Sequence, residues 1–195
     1  MIVLASGSAT RRAMLAAAGV AQEAVSPMMD EDAAKAALAH LGGRDLADAL
    51  AELKATKLSA RRPGDLILGC DSTVEAADGR LLDKAADRDE ARAQLLALSG
   101  TTHRLWSAAV LVRAGRPLWR HVDGAKLTMR SLSEPFLDAY LDAEWPAIGG
   151  CVGGYRLEGL GAQLFARIDG SHFTILGLPL LPLLAQLRAM GEMPS

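Results

Sequence analysis

The strongest constraint on the fold comes from an uninterrupted apolar stretch, LILGC at residues 66–70, which is followed directly by Asp71. A strand with one exposed face alternates apolar and polar residues, whereas a continuous apolar run is typical of a strand buried on both faces. Residues 2–5 have the same character. These two segments predict strands inside a sheet that is covered on both sides.

Local signals predict further strands at residues 24–26, 103–113, 118–130 and 162–168, and a closing helix at residues 179–190. Helix N-caps are predicted at Ser8, at Asp30 or Asp32, at Asp87 with Glu90 as a capping box, and at Ser133. The helix that ends before Pro63 is predicted to carry Leu46, Leu50, Leu53 and Lys57 on one face. Because helices are interleaved with strands, the predicted fold class is α/β with a mixed central sheet and flanking helices, in one domain over residues 1–195.

The composition excludes several classes of protein. Half of the residues are hydrophobic and 23% are charged, which indicates a globular chain rather than a disordered one. The net charge of −2 gives no overall attraction to nucleic acid or to an anionic membrane, so a phosphate site would need its own cluster of cations. Two cysteines, no basic leader and no apolar stretch of about 20 residues predict a soluble, cytoplasmic protein without a membrane partner.

The first candidate site is the segment SGSATRR at residues 6–12, where a predicted strand passes into a helix. Unpaired N–H groups at a helix start suit an anion, Ser8 can donate to phosphate oxygens, and Arg11 and Arg12 add positive charge. An ordinary capped helix with solvated arginines is the alternative. The segment lacks the GxxxxGK[ST] pattern of a P-loop.

Carboxylates form the second candidate group. Asp71 is predicted to lie at the C-terminal end of its strand, where ligands of α/β proteins usually bind, and could hold a divalent metal or activate water. Glu31, between Asp30 and Asp32, could share that metal. The alternatives are an aspartate that starts a turn and an acidic helix N-terminus.

Three further charged residues are candidates for ligand contacts. Lys54 and Lys84 could pair with phosphate, although each taken alone could be a solvated surface lysine. Glu158 lies in a glycine-rich loop and could accept hydrogen bonds from a base edge, unless that loop is a plain connection. The four histidines show no zinc spacing, and a dinucleotide fingerprint is absent.

Taken in chain order, these pieces resemble the Maf family of nucleotide pyrophosphatases. The similar segments are LASGSATRR at residues 4–12, Pro27 with Asp30-Glu31, LAELKA at 50–55, LGCDSTV at 68–74, Lys84, LSG at 98–100 with His103, EGLGA at 158–162, IDGS at 168–171 and GLPL at 177–180. The similarity extends over nearly the whole chain.

The resemblance implies a fold related to the inosine-triphosphate pyrophosphatases, with two lobes around a cleft. It implies hydrolysis between the α and β phosphates of a nucleoside triphosphate, aided by Mg²⁺ or Mn²⁺, in a homodimer. Asp71 would be the general base, and Glu31 would assist with metal or water, so that both are candidate metal ligands. The phosphates would be held by Ser8, Arg11, Arg12, Lys54 and Lys84.

Several positions depart from the family pattern. Ala9-Thr10 replaces the usual Pro-Arg, Asp83-Lys84-Ala85 replaces GKP, and Ser107-Ala108 replaces Thr-Gly. Glu158 stands where many members have Gln and, with Glu144-Trp145-Pro146, resembles the branch that acts on 7-methyl-GTP. A carboxylate can accept from guanine N1–H and N2–H₂, and it complements the charge of the methylated ring.

Three alternatives stay open at this point. One is a dTTP/UTP pyrophosphatase, in which an amide would suit a pyrimidine edge better than Glu158 does. The second is a catalytically weak nucleotide-binding regulator of cell division, which the altered phosphate segments would allow. The third is a division partner that acts through a surface rather than through Asp71.

Overall fold

A computed structural model describes residues 1–194 and contains an open, mixed sheet flanked by helices, which confirms the predicted α/β class. The strands are β1 (Ile2–Ala5), β2 (Gln22–Ala24), β3 (Ile67–Glu75), β4 (Leu81–Leu82), β5 (Thr102–Arg113), β6 (Arg116–Met129) and β7 (Phe165–Asp169). Their order is β2-β1-β3-β5-β6-β7, and β4 pairs with β3. The pairs β1–β2 and β1–β3 are parallel, and the other pairs are antiparallel.

The helices are α1 (Ala9–Ala17), α2 (Glu31–Ala37), α3 (Gly43–Ser59), α4 (Arg88–Leu98), α5 (Glu134–Glu144), α6 (His172–Ile175) and α7 (Leu180–Ala189). The predicted caps at Ser8, Asp87 and Ser133 are confirmed, and Asp30 rather than Asp32 caps α2. Short 3₁₀ turns occupy Ala147–Gly150 and Leu160–Leu164. None of the helices found between residues 1 and 194 has the length and apolar character needed to cross a bilayer.

The apolar core divides into three clusters. At one end of the sheet, α3 packs on one face of β1, β3 and β5, while α1 and α7 pack on the other face. At the other end, α4 and α5 cover the strands from β5 to β7. This arrangement gives two lobes that share the long strands, with β3 between them.

Some predicted boundaries were wrong. Strand β2 lies at Gln22–Ala24 instead of residues 24–26, because its parallel register pairs Ile2 with Gln22. Strand β7 starts at Phe165 instead of 162, because the preceding residues form a 3₁₀ turn. The short helix α6 was not predicted.

The predicted packing face of α3 was also wrong. Leu46 and Leu50 are buried as expected, but Leu53 and Lys57 are exposed. The buried face instead carries a run of small residues, Ala47, Ala51 and Ala55, together with Lys54. Small side chains on this face allow the helix to lie close to the sheet.

The closest approach of α3 to the sheet is at Gly69 of β3. A Cβ atom at this position would lie 2.0 Å from the carbonyl oxygen of Ala51 and 2.8 Å from Cβ of Ala55. Both are parts of the helix body that cannot swing aside. Gly69 therefore sets the distance between α3 and β3, and with it the position of Lys54 over the strand.

His103 is a core residue of the second lobe. Its ring packs against the rings of Tyr155 and Phe165, and Nε2 is 2.9 Å from the Tyr155 hydroxyl. Burial lowers the pKa of His103 to about 4, so the imidazole is neutral at neutral pH. The histidine that matched the family pattern therefore supports packing in this lobe.

Replacement of Gly69 by alanine is expected to push α3 away from the sheet. Overpacking of this kind costs about 1–3 kcal/mol of unfolding free energy. Gly64→Ala is the matched control, because no atom lies within 4 Å of a Cβ built there. Urea unfolding of both variants checks the prediction, and equal stability of the two would contradict it.

Candidate active site

A free edge on β3 marks the candidate site. Strand β1 ends at Ala5, opposite Gly69, and β4 starts to pair only at Val74. Residues 70–73 are therefore paired on one side only, with β5. Asp71 lies in the middle of β3 rather than at its C-terminal end, which corrects the sequence-based prediction. The ligand-accessible edge arises because the neighbouring strand is shorter.

A cavity of about 400 Å³ opens beside this edge. The helices α2 and α3 form one wall, and β4 with the loop after it forms the other. Its charged lining consists of Glu31, Lys35, Asp71, Asp83 and Lys84. Three candidate residues that are far apart in sequence, Glu31, Asp71 and Lys84, thus line one cavity. Lys35 lines it as well, although the sequence did not mark it as a candidate.

Lys54 lies at the base of this arrangement and is almost fully buried. Its Nζ atom donates to Oδ1 of Asp71 at 2.6 Å and lies 2.9 Å from Oε1 of Glu31. The side chain is only 7% exposed, which excludes the solvated-lysine alternative. Lys84 lies at the exposed rim, with Nζ 3.5 Å from the second carboxylate oxygen of Glu31.

These ion pairs shift the pKa values of Lys54 and Glu31. Burial alone would lower the pKa of Lys54, but the carboxylates of Asp71 and Glu31 outweigh it and the pKa is raised. Burial alone would raise the pKa of Glu31, but Lys54 and Lys84 outweigh it and the pKa is lowered. The ammonium and the Glu31 carboxylate are therefore both charged at neutral pH.

Arg11 lies on the opposite face of β3. Its guanidinium donates to the carbonyl oxygens of Gly177 (2.7 Å) and Cys70 (3.2 Å) and to the hydroxyls of Ser6 (3.3 Å) and Ser72 (2.9 Å). An arginine has five N–H donors. Four are used here, so this side chain ties the start of α1 to β3 and to the loop before α7, and one donor is left for a ligand.

The Ser72 hydroxyl extends this network to α6. It lies 2.8 Å from the Ser107 hydroxyl, which donates to the carbonyl oxygen of Thr174 at 2.7 Å. The departure Ser107 is thus a buried member of a polar network. Sequence analysis missed Ser72 and Thr174, because the pairing of β3 with β5 brings Ser72 to Ser107, and the packing of α6 brings Thr174 to the same hydroxyl.

The segment before α1 is arranged around two serines. Oγ of Ser8 accepts from the backbone N–H of Arg11, and the N–H of Ser8 donates to Oγ of Ser6. Arg12 is exposed and has no ion pair or hydrogen bond with any side chain of residues 1–194. The serines are thus built into the loop, and Arg12 is the arginine with a free guanidinium.

Glu158 is exposed in the loop that precedes the second 3₁₀ turn. Its Oε1 accepts a hydrogen bond from the Thr10 hydroxyl at 3.2 Å. The structure thus brings the candidate base-binding residue to the start of α1, across 148 positions of sequence. Glu158 and Arg11 do not line the cavity itself.

Comparison with known proteins identifies the family of this chain. The sequence model described as Maf-like protein matches residues 1–190. The chain belongs to the Maf family.

Curated relatives cover nearly the whole chain. A protein of Caulobacter vibrioides named nucleoside triphosphate pyrophosphatase is 54% identical, over 98% of this chain and 96% of its own. A protein of Paramagnetospirillum magneticum with the same name is 51% identical, over 98% of this chain and 99% of its own. A protein of Mesorhizobium japonicum named 7-methyl-GTP pyrophosphatase is 53% identical, over 97% of this chain and 96% of its own.

Removal of the Lys54 charge tests the buried cluster. Lys54→Met removes the cation between Asp71 and Glu31 and leaves Glu31 with only its longer contact to Lys84, so a loss of about 3–5 kcal/mol of unfolding free energy is expected at pH 8. The loss should shrink near pH 5, because two neighbouring carboxylates without the lysine between them favour uptake of a proton by the folded variant.

Lys57→Met is the matched control, since Lys57 is an exposed lysine on the same helix. Denaturant unfolding of both variants at the two pH values measures the effect. A Lys54→Met variant that is as stable as Lys57→Met at pH 8 would show that the cluster does not depend on the ammonium.

Proposed function

We propose that this chain hydrolyses the bond between the α and β phosphates of a nucleoside triphosphate, with 7-methyl-GTP as the substrate. The observation that carries the proposal is the buried ammonium of Lys54, which holds Asp71 and Glu31 side by side beside an open cavity. Such a cluster offers one carboxylate to water, while the lysines at the rim offer positive charge to phosphate.

The general activity rests on the family. Membership of the Maf family and the shared name of its relatives make the chain a nucleoside triphosphate pyrophosphatase, a hydrolase that acts on a phosphoanhydride bond. The choice of 7-methyl-GTP is supported by two observations: the name of the Mesorhizobium japonicum relative and the carboxylate of Glu158.

Asp71 is the proposed general base. Its Oδ1 accepts from Lys54, so the other carboxylate oxygen, Oδ2, is the one that can take a proton from the attacking water. The backbone of β3 fixes this carboxylate, because the strand is paired with β5 and closely packed under α3. A rigid position favours catalysis by orientation.

The phosphates are proposed to lie between the rim of the cavity and the start of α1. Lys84 and Lys35 face the cavity, and Arg12 has a free guanidinium on α1. The remaining N–H of Arg11 and the hydroxyl of Ser8 complete the set. Their positive charge neutralises the leaving pyrophosphate as the P–O bond breaks.

A divalent metal fits the charge balance of this site. Three lysines, at positions 35, 54 and 84, are matched by three carboxylates, at positions 31, 71 and 83, so these six side chains together bring no net positive charge to a triphosphate. Within residues 1–194 no group of three or more His, Cys, Asp or Glu side chains could hold a metal alone. Mg²⁺ typically uses one or two carboxylates together with substrate phosphates, and Glu31 and Asp71 match that pattern. Bound there with the substrate, Mg²⁺ or Mn²⁺ would neutralise phosphate charge and orient the oxygens.

Pyrophosphate release tests the proposal. The wild-type protein with Mg²⁺ or Mn²⁺ is expected to release pyrophosphate from 7-methyl-GTP faster than from GTP, dTTP, UTP, CTP or ITP. Asp71→Asn should lower kcat by about 10²- to 10⁴-fold, the usual contribution of a general base.

Asp142→Asn is the control, because Asp142 is an exposed aspartate on α5 that pairs with Arg88. Binding of nucleotide without hydrolysis by the wild type would favour the regulator of cell division instead. Faster hydrolysis of dTTP or UTP would point to the pyrimidine branch. The homodimer stays a prediction, which sedimentation of the purified protein can test.

A further inference from the structure

We propose that Thr10 and Glu144 are positioning residues that hold Glu158 in one orientation for the base edge of the substrate, and that they thereby set base selectivity. This inference rests on the proposed function, because it concerns the same site. It goes beyond that function by assigning a role to two residues on different elements, one at the start of α1 and one at the end of α5.

Glu144 clamps the loop that carries Glu158. One of its oxygens, Oε2, accepts from Nε and Nη2 of Arg156 at 3.1 and 2.6 Å, and the other, Oε1, accepts from the backbone N–H of Leu160 at 3.3 Å. The carboxylate is only 7% exposed. A single buried side chain therefore bonds to residues on both sides of Glu158.

The loop between these two bonds is tightly closed. A Cβ atom on Gly161 would lie 2.4 Å from the carbonyl oxygen of Arg156, so the two ends of the loop are in direct contact. A Cβ on Gly159 would lie 3.3 Å from Oε1 of Glu144. The backbone at Glu158 is thus fixed by packing as well as by the clamp, although the Glu158 side chain itself is exposed.

Thr10 supplies the contact that orients the Glu158 side chain. Its hydroxyl donates to Oε1 of Glu158, and the two residues have no other link in sequence or through a shared strand. A carboxylate has about four acceptor positions, so one bond from Thr10 leaves Oε2 free for a ligand. A hydroxyl at this position binds Glu158 and leaves its negative charge in place. An arginine at this position would neutralise that charge.

A fixed carboxylate selects among bases by their donors. Guanine offers N1–H and N2–H₂ on one edge, and its 7-methyl form also carries positive charge. Thymine and uracil offer one N–H between two carbonyl oxygens, which repel a carboxylate. Sites built around a hydrogen bond discriminate strongly against a ligand that lacks the matching group. The selectivity then depends on how well Glu158 is held.

A double-mutant cycle tests the inference. Thr10→Val removes the hydroxyl and keeps the shape, so kcat/KM for 7-methyl-GTP is expected to fall roughly three- to tenfold, mainly through KM. The slow hydrolysis of UTP should not change. Thr10→Ser keeps the hydroxyl, so this variant should retain the wild-type preference for 7-methyl-GTP. In a Glu158→Ala background, Thr10→Val should have no further effect, because its partner is gone.

Glu144→Gln should weaken the same preference, since an amide cannot accept from both Arg156 and Leu160 as a carboxylate does. Thr102→Val is the matched control, because Thr102 bonds only to Thr128 on the exposed face of the sheet. Thermal unfolding of each variant separates a loss of selectivity from a loss of fold.

The outcomes distinguish this inference from the proposed function. A wild type that hydrolyses pyrimidine nucleotides fastest overturns the substrate proposal and this inference together. A wild type that prefers 7-methyl-GTP, combined with a Thr10→Val variant that loses the same factor for every nucleotide, overturns this inference alone. That second result would mean that Thr10 contacts the phosphates instead of positioning Glu158.

Discussion

The candidate site depends on the ion pairs that the buried ammonium of Lys54 forms with Asp71 and Glu31. Removal of a lysine from water is unfavourable unless the charge is paired, and here two carboxylates on different elements supply the pairing. Lys54 reaches them because α3 lies close to the sheet over Gly69. The ion pair between Lys54 and Glu31 also positions α2. This helix has no buried residue of its own and is joined to the rest of the molecule through Glu31 and Lys35. The charge of Lys54 therefore links Asp71 of β3 to Glu31 of α2, the helix that forms part of the cavity wall.

Strand β3 is held from both faces at the point where its edge is free. Consecutive residues of a strand point to opposite sides. Asp71 therefore faces Lys54 under α3, while Ser72 faces Arg11 under α1. The two cations have different roles, because Lys54 pairs with the carboxylates of Asp71 and Glu31, and Arg11 joins the loops that surround the edge. This division explains how a strand with one free edge at residues 70–73 can present a carboxylate in a fixed position.

The sequence predicted the parts of this arrangement that depend on local chemistry. The apolar run before Asp71, the caps at Ser8 and Asp87 and the long hairpin of β5 and β6 follow from short-range patterns, and the structure confirms them. The extension of β3 beyond Asp71 could not be predicted, because residues 72–75 are strand through pairing with β5, joined by β4 at residues 74 and 75, and both partners are distant in sequence or too short to predict. The burial of Lys54 could not be predicted from the sequence either. Its helix turns Leu53 toward solvent, and only the glycine on the opposing strand makes room for the small residues that face inward.

The residues proposed for phosphate chemistry and those proposed for base recognition lie on different kinds of structure. Asp71 and Lys54 lie on a strand and a helix of one packed lobe, whereas Glu158 lies on an exposed loop anchored to α5 through Glu144. In the proposed site, a change in the loop can therefore alter which base fits without disturbing Asp71, the proposed general base. Arginine, expected at position 10 from the family pattern, would pair with Glu158 and neutralise it, whereas the threonine found there leaves the carboxylate charged. In the proposed site the threonine at position 10 and the glutamate at position 158 therefore act as a pair, because the hydroxyl orients a carboxylate that stays charged.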